Sequence, residues 1–234
     1  MELRNVARPG KVLTGLVFAG LLVASFSHTG LARQKVPDPA QGLALAGKHG
    51  SETAVFAGGC FWGIEAVFEH VRGVSNARSG YSGGVAATAQ YERVSNGDTG
   101  HAESVEVTFD PAVVSYGTLL KVIFSVAHDP TQLNRQSPDS GTQYRSAIFY
   151  RTPVQQQTAQ AYVRQMTQAK VFGNAPIVTQ ITPLAAFYPA ESYHQDFARL
   201  HPDHPYISYW DAPKVAHLQK QFPSLYRAQG LAAR

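Results

Sequence analysis

A chain of 234 residues has room for one ordinary globular domain or two small ones, and 44% hydrophobic with 15% charged residues excludes a disordered polymer. The formal net charge of +4 does not make a nucleic-acid binder. Arg4, Arg8 and Lys11 against Glu2 put about half of that excess in the first 32 residues, and no later run of Arg and Lys interleaved with aromatics supplies a phosphate-neutralising footprint.

From the N-terminus, a basic stretch ending at Lys11 precedes an apolar run from Val12 to Phe26, and small residues follow at Gly30-Leu31-Ala32. That order is the layout of a secretory signal peptide, with cleavage expected after Ala32. The apolar run is short for a membrane span, which needs roughly 20 residues, though retention as an anchor stays open. The expectation is an exported, periplasmic protein. Residues 33–51 read as a linker rich in Pro, Gly and polar residues, and 52–234 as one catalytic domain with an irregular C-terminal extension.

Thr53-Ala54-Val55-Phe56-Ala57 is a short apolar run stopped by Gly58-Gly59, as a buried strand would be. Phe61, Ile64, Val67, Phe68 and Val71 then recur at helical spacing. Gly80 to Gly84 reads as a glycine-rich turn. Val105, Val107 and Phe109 alternate with polar residues, the pattern of a half-buried strand, stopped by Asp110-Pro111. Ser115 is placed to cap a helix carrying Leu119, Leu120, Ile123, Phe124 and Ala127 on one face. Residues 143–150 read as a strand. Thr152-Pro153-Val154-Gln155 is a helix start, with a Thr cap, Pro at the first helical position and Gln reaching back; this helix is expected to run to about Lys170 and end at Gly173. Residues 177–182 read as a strand, and the last fifty residues as short helical pieces between Pro189, Pro202, Pro205, Pro213 and Pro223. This order is α+β, compatible with helices on one face of a mixed sheet.

The single cysteine, Cys60, is the first candidate for chemistry. One cysteine cannot form an internal bridge, and the count alone fits a buried, inert thiol. Its position argues otherwise. Cys60 falls between a glycine-ended strand and the first turn of an amphipathic helix, where unpaired amides and the positive end of the macrodipole favour a thiolate. Gly58 and Gly59 are expected to let the backbone turn tightly and leave the sulfur accessible. Phe61 and Trp62 follow, and Trp62 lies one position off the apolar stripe. At least one ring is therefore expected beside the sulfur, an aromatic wall suited to a methyl or thioether group.

Glu103 has the parity of Val105, Val107 and Phe109, which puts it on the buried face of its strand unless the strand end frays. A buried carboxyl stays protonated to higher pH and can donate a proton as a general acid. Tyr91, in a polar loop, and Tyr144, close to Asp139, are further hydroxyl donors, though neither stands out among eleven tyrosines.

Five segments, in order, resemble the signatures of A-type methionine sulfoxide reductases. They are Gly59-Cys60-Phe61-Trp62-Gly63 with Glu65, Gly80-Tyr81-Ser82-Gly83-Gly84, and Gly97-Asp98-Thr99-Gly100-His101-Ala102-Glu103. The fourth and fifth are Gly141-Thr142-Gln143-Tyr144-Arg145-Ser146 and Tyr193-His194-Gln195. Together they span about residues 53–207. The resemblance implies a two-layer α/β sandwich with a mixed sheet and a ferredoxin-like core. It implies Cys60 as nucleophile, Glu103 as acid, Tyr91 and Tyr144 as hydroxyls on the sulfoxide oxygen, and Asp139 as a supporting carboxylate. Phe61 and Trp62 correspond to the wall that receives the substrate methyl. It further implies reduction of the S epimer of methionine sulfoxide, free or in oxidised proteins, as protein repair, with no bound cofactor or metal.

The chain departs from many members in having no cysteine after Cys60. A sulfenic acid left on Cys60 then needs an outside reductant, either a small thiol or a thioredoxin- or glutaredoxin-like protein. A monomer suffices for such a cycle. His201-Pro202-Asp203-His204 has ligand-type residues, but structural zinc usually needs four ligands and this segment reads as a solvated loop. The roles of His101, His128 and His194 stay open. A cysteine hydrolase would need a histidine beside the sulfur, and none sits in the Cys60 motif; a binding module with a structural Cys60 would alkylate slowly.

Overall fold

The computed structural model describes residues 35–231, so the expected signal segment lies outside the described residues. The elements follow as β1 (Glu52–Ala57), α1 (Phe61–Glu69), β2 (Val74–Ser82), α2 (Tyr91–Val94), β3 (Ala102–Phe109) and α3 (Tyr116–Val122), which continues as a π turn, Ile123–Ala127. Then come β4 (Arg135–Gln136), β5 (Asp139–Ser140), a 3-10 turn (Thr142–Tyr144), β6 (Ala147–Tyr150), α4 (Pro153–Gln168), β7 (Gln180–Pro183) and β8 (Phe187–Pro189). Last are α5 (Phe197–Leu200), a second π turn (Ile207–Asp211) and α6 (Ala212–Gln221).

Six strands form one sheet in the order β7-β6-β1-β3-β2-β8. All neighbours are antiparallel except β6 and β7, so the sheet is mixed. The period-2 alternation of strand side chains divides its two faces. Ala54 and Phe56 of β1 and Val105, Val107 and Phe109 of β3 join Ile64, Val67 and Phe68 of α1 in the main core, with Leu119 and Leu120 of α3 and Ala159, Tyr162 and Met166 of α4. Val55, Ala57, Ala102, Ala147 and Phe149 point the other way, into a small cluster closed by Leu184 and Phe187. The result is the α+β architecture expected, with helices on one face. Each fully buried aromatic in the main core, such as Phe56, Phe61 and Phe68, contributes roughly 1.5–3 kcal/mol over an exposed one.

The helix starts follow their local chemistry. Ser115 Oγ accepts the Thr118 N–H at 3.1 Å, and Thr152 Oγ1 accepts the Gln155 N–H at 3.1 Å. Gln155 reaches back one residue further than a capping box, to the Arg151 N–H, and its amide also donates to the Thr53 carbonyl, tying α4 to β1. Helix α4 ends at Gln168, because Lys170 turns into the left-handed region (φ 50) before Gly173 is reached.

Three expectations need correction. Gly80 to Gly84 is not wholly a turn: β2 runs through Ser82, and only Gly83 and Gly84 turn. Gly80 is required because a Cβ there would stand 2.4 Å from both the Phe187 ring and the Tyr188 carbonyl, so its absence admits β8, a strand the hydropathy pattern does not announce. The strand expected over 143–150 begins only at Ala147, since residues 142–144 coil into a 3-10 turn. The strand expected over 177–182 is β7, which starts later, at Gln180.

Candidate active site

The site is built around the first turn of α1. Gly59 takes φ +98, which places Cys60 at the helix N-cap, and Gln136 lies where a Cβ of Gly59 would be. Parity places Glu103 on the helix-covered face of β3, 2% exposed. There its Oε2 accepts the Phe61 N–H at 3.1 Å, one of the amides a helix start leaves unpaired. The carboxyl is therefore tied to the residue after the cysteine. Burial pushes Glu103 up to about 8, and the neighbouring Asp139 and Asp211 add to this against the Phe61 N–H.

Cys60 is corrected in two respects. It is 8% exposed, so the diglycine does not leave the sulfur open. Its thiol titrates well above the ordinary cysteine range, where a helix-start position alone predicts the reverse. Burial is the largest cause, followed by the negative fields of Glu103 and Asp211. The Trp62 amide and the Lys214 ammonium pull the other way, the amide without making a formal hydrogen bond. Desolvation outweighs the helix-start effect here.

Aromatic side chains close around this turn. Phe61 is buried and Trp62 half-buried, the arrangement their offset on the helix predicts. Trp62 stacks on Phe197 at 3.8 Å between ring centroids, meets the Tyr206 ring edge-on at 5.9 Å, and donates its indole N–H to His194 Nδ1 at 3.2 Å. His194 in turn lies 4.5 Å from the Tyr91 ring. Tyr91 opens α2 instead of lying in a loop, and its backbone N–H donates to Glu191 Oε1 at 2.9 Å. The other Glu191 oxygen accepts the Tyr81 hydroxyl at 2.9 Å. Burial raises both Tyr91 and Tyr144, and the fields of Glu103 and Cys60 act on each, so the two phenols stand near thiol and acid as neutral O–H donors. Asp139, on β5, accepts a hydrogen bond from the Tyr206 hydroxyl and is raised by burial.

Seven residues singled out in sequence thus come together: Cys60, Phe61, Trp62, Tyr91, Glu103, Asp139 and Tyr144. The motif residues around them act as clamps. Arg145 donates to the carbonyls of Gly100, His101 and Thr142, and Gln143 to that of Ser95, which ties the Tyr144 turn to the loop before Glu103. Two of the open histidines have structural partners at both ring nitrogens. His101 bridges the Gly84 amide and the Val85 carbonyl, and His128 bridges the Ile123 carbonyl and Ser146 Oγ. His194 belongs to the aromatic wall. His201 and His204 flank an exposed turn and lie against Phe197.

With this geometry stands a match of residues 52–225 to the family model described as peptide methionine sulfoxide reductase. The chain belongs to the peptide methionine sulfoxide reductase family. It is 62% identical to a peptide methionine sulfoxide reductase MsrA 2 of Mesorhizobium japonicum over 177 residues, covering 76% of this chain and 90% of that one. A second MsrA 2, from Synechocystis, is 54% identical over 219 residues, 92% of this chain and 99% of that one. Among solved structures, methionine sulfoxide reductase A of Corynebacterium diphtheriae is 37% identical with a TM-score of 0.57, over 67% of this chain and 77% of that one. The reduced form of Mxr1 from Saccharomyces cerevisiae has a TM-score of 0.58 at 30% identity, over 69% and 91%. The enzyme is an oxidoreductase that reduces methionine sulfoxide, and its fold is that of the family.

Sequence reasoning passed over Glu191, Phe197, Tyr206, Asp211 and Lys214. All lie in the proline-punctuated last quarter, where no periodicity marks a face. Asp211-Ala212-Pro213 carried the one usable signal, an acid just before Pro at a helix start.

Proposed function

We propose that the reductase works by attack of the Cys60 thiolate on the sulfoxide sulfur while the Glu103 carboxyl gives its proton to the departing oxygen. Tyr91 and Tyr144 donate hydrogen bonds to that oxygen, Asp139 supports them, and the substrate methyl rests against Phe61 and Trp62. The S–O bond breaks, its oxygen passes as hydroxyl to the Cys60 sulfur as the transient bond between Cys60 and the substrate sulfur breaks, and methionine leaves with Cys60 as a sulfenic acid. The observation that carries this reading is the Phe61 N–H to Glu103 hydrogen bond, which holds the carboxyl beside the nucleophile while burial keeps it protonated.

With no second cysteine in the chain, a thiolate from outside attacks the sulfenic acid, releasing water and leaving a mixed disulfide. A second thiolate then frees Cys60. The reductant is a thioredoxin- or glutaredoxin-like protein or a small thiol, and the substrates are S-sulfoxides, free or in oxidised proteins. The enzyme acts as a monomer, exported to the periplasm by residues 1–32.

Resolved S- and R-methionine sulfoxide, offered with several thiol donors, test this. The S epimer turns over and the R epimer persists. Without thiol, one methionine forms per chain and a sulfenic-acid reagent labels Cys60. Equal use of both epimers, or several methionines per chain without thiol, would sink the mechanism.

A further inference from the structure

One ion pair near the nucleophile is not absorbed by this mechanism. Lys214 Nζ donates to Asp211 Oδ1 at 2.9 Å; the Asp211 side chain is fully enclosed and that of Lys214 is only 18% exposed. Both pack on the first turn of α1. A Cβ on Gly63 would stand 2.1 Å from Asp211 Oδ1 and 2.7 Å from Lys214 Nζ, so the helix backbone itself touches the pair. The second Asp211 oxygen is buried without a hydrogen-bond partner, and Lys214 is its only ion-pair partner among the described residues.

The groups around Cys60 are otherwise neutral or acidic. Glu103 approaches from β3, Asp211 from the second π turn, and the phenols of Tyr91, Tyr144 and Tyr206 from α2, the 3-10 turn and the C-terminal segment. Among the described residues, Lys214 is the side-chain cation whose field acts most strongly in favour of the sulfur anion. A nucleophile buried among carboxyls needs such a charge twice. It is needed when the thiolate attacks the sulfoxide, and again when Cys60 leaves the mixed disulfide as a thiolate.

We propose that Lys214, moored by Asp211 against the first turn of α1, is a positioning residue that stabilises the Cys60 thiolate as nucleophile and later as leaving group. The second half rests on the sulfoxide-reductase mechanism above. In its final step, an external thiolate bonds to the reductant sulfur of the mixed disulfide. The Cys60–sulfur bond breaks, and its electron pair stays on Cys60 beside the ammonium.

The test is alkylation of Cys60 by iodoacetamide, a neutral reagent that Lys214 cannot steer, from pH 6 to 10 in the full chain. Lys214→Met is expected to move the profile to higher pH and slow alkylation at pH 7 about three- to tenfold, while Lys214→Arg keeps most of the wild-type rate. Asp211→Asn keeps a carbonyl oxygen that accepts the Lys214 hydrogen bond while removing a negative field, and is expected to move the profile the other way, which loss of packing would not do. A Lys214→Met profile that overlays the wild type overturns the proposal, as do shifts of Lys214→Met and Asp211→Asn in the same direction. In turnover, Lys214→Met lowers kcat with KM unchanged. Alkylation needs no sulfoxide, so it reads Lys214 even where the turnover mechanism fails.

Discussion

Helix α1 carries a buried acid cluster at each end, and the two behave differently. At its start, Glu103 is raised by burial, with Asp139 and Asp211 nearby, a thiol beside it and phenols across from it. Further along, Glu65, Glu69 and Asp196 bring carboxylate oxygens within 4.8 Å of one another. There Glu65 Oε2 accepts Ser79 Oγ at 2.9 Å and the Asp196 N–H at 3.2 Å, Arg199 pairs with Asp196, and burial pushes Glu69 up to about 9. Both clusters hold a proton at neutral pH. Among the described residues, only the first has a thiol and phenol hydroxyls facing it. A displaced pKa therefore does not mark chemistry by itself; the neighbours decide what a held proton is for.

Substitutions separate the two clusters. Glu103→Gln keeps a hydrogen-bond donor but no transferable proton, and sulfoxide reduction in a single turnover is expected to fall roughly 100-fold or more. Glu65→Gln, in the second cluster, is expected to stay within a few-fold of wild type. Equal losses would erase the distinction.

The pH dependence of kcat/KM sharpens it further. The productive state pairs a protonated Glu103 with an ionised Cys60, and Glu103 titrates near 8, below the thiol. The rate is then expected to rise about tenfold per pH unit up to roughly 8, as the thiolate forms, and to level off where Glu103 begins to lose its proton. In Glu103→Gln that break disappears, leaving the single ionisation of Cys60. A break near 8 that survives the substitution assigns it elsewhere.

The smallest effect belongs to the second cluster and appears as stability. Glu69 ionises near 4.5 when unfolded and about 9 when folded, so the folded state binds the extra proton and stability falls as pH rises through that window. Glu69→Gln removes this penalty. Its melting temperature should exceed that of wild type at pH 8 but not at pH 4, by the equivalent of about 1 kcal/mol or more.

Local signals survived the passage from sequence to structure where they rest on local physics. Ser115 and Thr152 cap helices, the parity of Glu103 sets its face, and the offset of Trp62 from Phe61 leaves one ring half-buried and the other enclosed. What was not legible depends on distant segments. Strand β8 is visible only in the missing side chain of Gly80, and the Cys60 thiol is governed by burial and then by the fields of Glu103 and Asp211, which the helix-start argument does not contain. Tyr206 and Glu191 reach Asp139 and Tyr91 across long stretches of sequence, so composition around them gives no hint.

The bond from Trp62 to His194 spans 132 positions, and Gly63 is in contact with Asp211 and Lys214 further still along the chain. During synthesis the nucleophile is finished long before the last of its neighbours arrives. In the unfolded chain Cys60 is a solvent-facing thiol with an ordinary affinity for its proton. Folding withdraws it from water, so its reagent reactivity reports how tightly the fold is closed around it.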